Sequence, residues 1–260
     1  MDACESLKIA YEYFRKTKGE KSPATLISLK SLAEALYETG RHKEGIDLLR
    51  LGLSQSETIP DTEKTDDDFE AYKHLLFIQA IGYLQIQDFE AALKTSERGL
   101  QLHPREKPAF KVSTGDTGPK VLMFTLQIGT IHCLKGNKRE GQEYLKNAME
   151  YFDDLPENAS SVIETVVRYA EEIIKKEDLE SADILLKPAM RKIKAVAKTP
   201  EGLAQVYPSA DVVTEIYRKT NRKAIARDFL NEFLEALPKN SPITFAYRAP
   251  VERKLRSLND

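Results

Sequence analysis

Apolar residues recur along this chain at three- and four-residue spacing. In Ala24–Leu53, the residues Leu26, Leu29, Leu32, Ala33 and Leu36 fall on one side of a helix. Gly40 ends that helix, because glycine reaches the left-handed C′ conformation without a Cβ clash. Ile46, Leu49 and Leu53 then mark the buried side of a second helix. The same helix–turn–helix pattern returns four more times, with turns at Gln87, Gly136, Glu177 and Asn221. Each second helix carries a small residue and, four places on, the residue that fills the adjacent groove: Gly45/Leu49, Ala92/Ser96, Gly141/Leu145, Ala182/Leu186 and Ala226/Leu230. A missing side chain at the first position lets two helices approach closely.

These units resemble the tetratricopeptide repeat (TPR), whose first helix reads W-x2-L-G-x2-Y and whose second reads A-x3-F, followed by Pro. The first helices here read Leu29-x2-Leu32-Ala33-x2-Leu36, Leu76-x2-Gln79-Ala80-x2-Tyr83, Thr125-x2-Ile128-Gly129-x2-His132, Val166-x2-Tyr169-Ala170-x2-Ile173 and Ala210-x2-Val213-Thr214-x2-Tyr217. Pro104 and Pro238 stand where the closing proline belongs. The chain departs from the family in period, its turns lying 41 to 49 residues apart instead of about 34. The resemblance implies an all-α fold: a right-handed α-solenoid of about five antiparallel helix pairs with capping helices, as a single TPR-like helical-repeat domain over 1–260. The expected pieces are a cap helix at 6–18, repeats at about 26–53, 73–104, 122–155, 163–196 and 207–240, and a C-terminal helix with a basic tail at 241–260.

The residues beyond the usual period fall in Ser54–Phe69 and His103–Lys120, or are absorbed by longer helices. Proline sets several further expectations, since within a helix it removes a hydrogen bond and clashes with the previous turn. Pro200 and Pro208 should bracket a break, Pro188 should kink the helix that holds it, and Pro250 should interrupt the last helix. Ser241-Pro242 reads as the N-cap and first position of that helix.

Charge changes the picture only locally. The 260 residues carry a net charge of −2, so no whole-molecule field favours nucleic acid or an anionic membrane. From Lys187 to Asp260, however, fifteen Lys/Arg face eight Asp/Glu. Glu57–Glu70 holds seven acids against one lysine, which reads as a solvated linker. Cys4 and Cys133 form no disulfide framework or metal-ligand cluster, which fits a reducing compartment. Met1-Asp2-Ala3-Cys4-Glu5 lacks the features of a secretory signal, and no stretch approaches the roughly 20 apolar residues a membrane span needs. The expected location is cytoplasmic or nuclear, without a membrane.

Candidate chemistry is sparse. Ser113–Lys120 has the composition of a phosphate loop but fails GxxxxGK[ST] and follows no apolar strand. His42, His74, His103 and His132 are scattered, and His132 falls where the repeat packs an aromatic residue. Glu171 and Glu172 point about 100° apart on a helix, poor geometry for an acid–base pair. No catalytic residue, cofactor or metal is expected, and the chain is read as not an enzyme.

The resemblance instead implies a binding surface, since TPR first helices turn positions 2, 5, 6, 9, 12 and 13 inward. These are Ile27, Lys30, Ser31, Glu34, Tyr37 and Glu38 in the first unit and His74, Phe77, Ile78, Ile81, Leu84 and Gln85 in the second. The third unit offers Met123, Leu126, Gln127, Thr130, Cys133 and Leu134. Chaperone C-terminal tails are disfavoured as partners. Of the Lys/Asn/Asn/Lys/Arg set that grips them, only Lys30 stands in place, the others being Glu34, Ile78, Met123 and Gln127. The expected function is that of a protein–protein interaction scaffold or adaptor, holding a partner peptide or helix in an apolar concave groove. Its contacts would be Phe77, Ile78, Ile81, Leu84, Met123, Leu126, Gln127 and Leu134, unless the 103–120 or C-terminal segment fills the groove itself. The alternative is an RNA-binding helical-repeat protein using a basic patch of Arg191, Lys192, Lys194, Lys198, Arg218, Lys219, Arg222 and Lys223. Nucleic acid is the lesser of the two readings, because aromatic residues for base stacking are few there.

Overall fold

The computed structural model describes residues 3–102, 117–155, 159–238 and 241–258, and these form twelve helices with no strand among them. The chain divides into two compact units, Met1–Ile131 and His132–Asp260.

The first unit holds α1 (Ala3–Lys18), α2 (Pro23–Glu38), α3 (His42–Glu57), α4 (Asp66–Gln85), α5 (Phe89–Gln101) and most of α6 (Thr117–Leu134). α1 packs on α2, and α4 packs on both α2 and α3 before pairing with α5. The second unit holds α7 (Lys138–Asp153), α8 (Ser160–Ile174), α9 (Leu179–Val196), α10 (Pro200–Lys219), α11 (Lys223–Ala236) and α12 (Pro242–Ser257). The rule recurs there: α10 lies against α8 and α9, and α12 against α10 and α11. In these three cases the new first helix covers both members of the preceding pair, burying the apolar stripe that a lone hairpin would expose.

The turns carry the repeat most clearly. Gly40, Gln87, Gly136, Glu177 and Asn221 all have positive φ, between 57° and 87°. At four of them the next residue's N–H returns to a carbonyl five residues back: Arg41 to Leu36, Asp88 to Tyr83, Asn137 to His132 and Arg222 to Tyr217, at 2.8–2.9 Å. This is the six-to-one bond of a Schellman motif, which satisfies a carbonyl left over at the helix end. The small positions Gly45, Ala92, Gly141, Ala182 and Ala226 are all buried, as are Leu49, Ser96, Leu145, Leu186 and Leu230.

Three expectations about breaks are corrected. The acidic stretch is not wholly linker, because Asp66, Asp67 and Asp68 form the first turn of α4. Thr65 and Asp68 close a capping box, and three carboxylates at a helix N-terminus complement its dipole. Pro200 and Pro208 do not bracket a break, for Pro200 sits in the first turn of a continuous α10 and Pro208 lies exposed inside it. Pro200 loses no bond at a helix start, where the first N–H groups have no intrahelical partner. Nor does Pro250 interrupt α12, which runs on to Ser257 with Val251 and Leu258 buried beyond it. Extra length has gone into helices: α4 and α10 reach 20 residues each. Ser241 is the N-cap of α12, although its side chain makes no capping bond. α9 contains Pro188 at a buried position.

Candidate functional site

The face implied by the resemblance is built in the first unit by α2, α4 and α6. Ser22 and Pro23 start α2, the Ser22 hydroxyl accepting from Thr25 N–H at 3.2 Å. α4 is fixed from its other sides. Tyr72 donates to Glu57 at 3.0 Å, Lys64 lies over the Phe69 and Tyr72 rings, and Leu75, Leu76, Ala80 and Tyr83 are buried. α6 joins α4 through the edge-on contact of Phe77 and Phe124, centroids 5.9 Å apart.

What remains on the outer side of α4 is a row of half-buried residues, His74, Phe77, Ile81 and Leu84. Steps of three, four and three place them on a single helix stripe. Phe77, Ile81 and Leu84 rest on the core of the unit. On the neighbouring α2, Ile27 is 46% exposed, and Lys30 pairs with Glu34 at 3.0 Å. Lys30, the one chaperone-clamp residue in place, is therefore neutralised within its own helix. Nearer the start of α4, the Glu70 carboxylate receives Lys73 at 2.9 Å and also meets Lys120 of α6. Burial pulls the Lys120 ammonium down to about 8, since a charge removed from water is disfavoured.

The remaining sequence candidates divide by burial. Met123 is half-buried on α6, and Ile78 is buried. Leu126 and Gln127 have no exposed surface, which corrects the expectation that they contact a partner. Gln127 is instead an internal tie: its amide donates to the Phe77 carbonyl at 3.2 Å and accepts from the Ser96 hydroxyl at 2.8 Å. Leu134, half-buried, belongs to the second unit, as does the buried Cys133. Ile27 is the residue whose exposure helical spacing alone did not single out. The 103–116 part of the segment expected to cover this face, with His103, Pro104 and the first half of the loop-like Ser113–Lys120, lies outside the described residues, and 117–120 open α6.

The basic patch of the second unit is largely taken up in folding contacts. Arg191 holds Asp153 at 3.0 Å, and Lys192 donates to the Asp153 and Leu155 carbonyls at the end of α7. Lys194 pairs with Glu232, Arg218 with Glu215 at 2.8 Å, and Arg222 with Asp183 at 2.8 Å. Lys198, Lys219 and Lys223 make no ion pair among the described residues. Tyr217 is buried beneath the Arg222 guanidinium and offers no ring face to a base.

His132 is buried, stacked on Tyr144 at 5.7 Å, with Nδ1 3.3 Å from Glu140. Among the described residues no group of three or more His, Cys, Asp or Glu side chains is placed to hold a metal ion, and no helix is long and apolar enough to cross a membrane.

This arrangement of stacked helix pairs is the fold of TPR and TPR-like repeat proteins. BtubC (BKLC) from P. vanneervenii matches it with a TM-score of 0.59 at 15% identity, over 98% of this chain and 91% of that one. A putative kinesin light chain from Podosopora anserina with nearly identical TPR-like repeats matches with a TM-score of 0.53 at 15% identity, over 90% and 99%. At such identity the likeness is one of fold. No family model and no curated protein matches the sequence.

Proposed function

We propose that this chain is a noncatalytic interaction scaffold that holds an apolar peptide or helix of another protein against α2, α4 and α6. The observation that carries this reading is the half-buried row His74, Phe77, Ile81 and Leu84 beside the exposed Ile27. Apolar side chains of this size yield about 1.5–3 kcal/mol each on full burial, so a partner that completes their burial gains binding energy. A partner helix with apolar residues at matching three- and four-residue spacing fits such a row. The two free, buried cysteines fit residence in a reducing compartment, the cytoplasm or nucleus.

RNA binding has less support, because five of the eight basic residues it would use already hold carboxylates or helix-end carbonyls.

Site-specific photo-crosslinking in cells tests the reading. A crosslinker at Ile27 should capture a protein partner, whereas one at Leu51, equally exposed on α3, should not. With the crosslinker moved to Leu84 of the same face, Ile27→Glu should reduce the capture without lowering the melting temperature. Adducts from Leu51 and none from Ile27 would place the partner elsewhere and overturn it.

A further inference from the structure

The outer side of α1 is complementary to itself. The helix buries Cys4 and Tyr11 and packs Leu7 on the core of the first unit. On its opposite side Ile9 is 54% exposed and Tyr13 is 61% exposed. At about 100° per residue, Glu5, Ile9, Tyr13 and Lys16 share an arc of roughly 80° on that side. Read along the helix, the stripe is acid, apolar, apolar, base.

Two such stripes laid antiparallel about a two-fold axis match at every position. Ile9 of each copy meets Tyr13 of the other, and Glu5 of each meets Lys16 of the other. A parallel pairing would set Glu5 on Glu5 and Lys16 on Lys16. Neither Glu5 nor Lys16 makes an ion pair among the described residues, whereas Glu12, on the flank, is held by Arg15 at 2.7 Å. Tyr13 also packs edge-on against Phe14, centroids 5.6 Å apart, which limits the freedom its ring loses on contact.

We propose that the outer side of α1 is a self-association surface, through which two copies of this chain pair by antiparallel α1 helices. The occupant is a second copy because the order of charge and apolar surface along the stripe reverses under the two-fold. One helix pair buries less than the roughly 1,200 Å² of a stable standard interface, so the dimer is weak and concentration-dependent. Its ion pairs are exposed, so added salt loosens it.

Sedimentation equilibrium of the 260-residue chain tests this, with circular dichroism confirming that each variant is folded. The wild type should pass from monomer towards dimer as concentration rises to roughly 1 mM, the range of a small interface. Glu5→Lys and Lys16→Glu should each weaken the dimer about tenfold, since each reversal places like charges together at two symmetric contacts. The double variant Glu5→Lys/Lys16→Glu should recover most of the loss. A wild type that stays monomeric throughout, single reversals without effect, or a double variant no better than the singles would each overturn the proposal.

Discussion

Tyr217 donates its hydroxyl to Asp183 Oδ1 at 3.2 Å across 34 positions of sequence, and Arg222 reaches the same oxygen at 2.8 Å. The guanidinium also lies over the Tyr217 ring, 4.6 Å from its centre. One carboxylate on α9 thus holds the end of α10 and the start of α11. Asp183→Ala should leave a buried hydroxyl and a half-buried cation without their acceptor and cost about 2 kcal/mol, read by urea denaturation. Lys187→Ala, whose ammonium lies 3.9 Å from the same aspartate but is exposed, should be nearly neutral.

Buried tyrosines set the alkaline limit. Burial pushes the Tyr37, Tyr72 and Tyr217 hydroxyls up from their ordinary value of 10.0, with the bond to Glu57 adding at Tyr72 and the Asp183 charge at Tyr217. The folded chain keeps protons that the unfolded chain releases near pH 10. Their contribution is therefore complete below that pH and is withdrawn as pH rises above it. Melting temperatures should fall steeply from about pH 10 upward. The Tyr37 hydroxyl is buried with no hydrogen-bond partner among the described residues. Tyr37→Phe should accordingly flatten that fall and leave stability at neutral pH unchanged or raised by up to about 1 kcal/mol.

Two turns are built with unfavourable residues. Gln87 and Glu177 hold φ of 60° and 61°, where Gly40 and Gly136 do the same work without a Cβ. Gln87→Gly and Glu177→Gly should each raise stability by roughly 0.5–1 kcal/mol, the left-handed penalty less the extra chain entropy of glycine. Gly40→Gln should lower it by a similar amount, in the same thermal denaturation assay.

Gly99 inverts the usual helix rule. Glycine to alanine inside an exposed helix stabilises by about 1 kcal/mol. A Cβ at position 99 would strike the Phe124 ring, which closes α5 onto α6. Gly99→Ala should therefore destabilise by about 1–3 kcal/mol. Pairing it with Phe124→Leu should recover part of the loss, and a double-mutant cycle reads the coupling.

Gln127 and Ile27 should separate folding from binding. Gln127→Ala removes two bonds that tie α6 to α4 and α5, one to the Phe77 carbonyl and one from the Ser96 hydroxyl, so it should lower the melting temperature, at a cost of about 1–3 kcal/mol. Ile27→Glu alters only exposed surface, so its effect should be confined to partner capture.

The helices and their turns were legible because their causes are local. A stripe at three- and four-residue spacing, such as Leu26, Leu29, Leu32 and Leu36, is read from a window of about a dozen residues. The turns at Gln87, Glu177 and Asn221 were legible through their place in the succession, since only two of the five turn residues are glycine. The prolines misled for the converse reason. Pro208 and Pro250 lie inside helices whose other residues are held by packing, and that packing outweighs the one backbone bond lost at each.

Local sequence alone dictated that the chain forms helix pairs in series, where each pair turns, and which side of each helix is apolar. How that apolar surface is shared out came from the packing of the whole chain. Leu126 and Gln127 lie sealed between helices, while Ile27, Ile9 and Tyr13 stand in water, although all five sit on helices of similar pattern. Packing also brought Arg222 to Asp183 and Lys192 to the carbonyls at the end of α7, so that these basic groups are engaged in folding contacts. Periodicity is a property of a few adjacent residues, whereas exposure and contacts such as these depend on neighbours that arrive from more than 30 positions away.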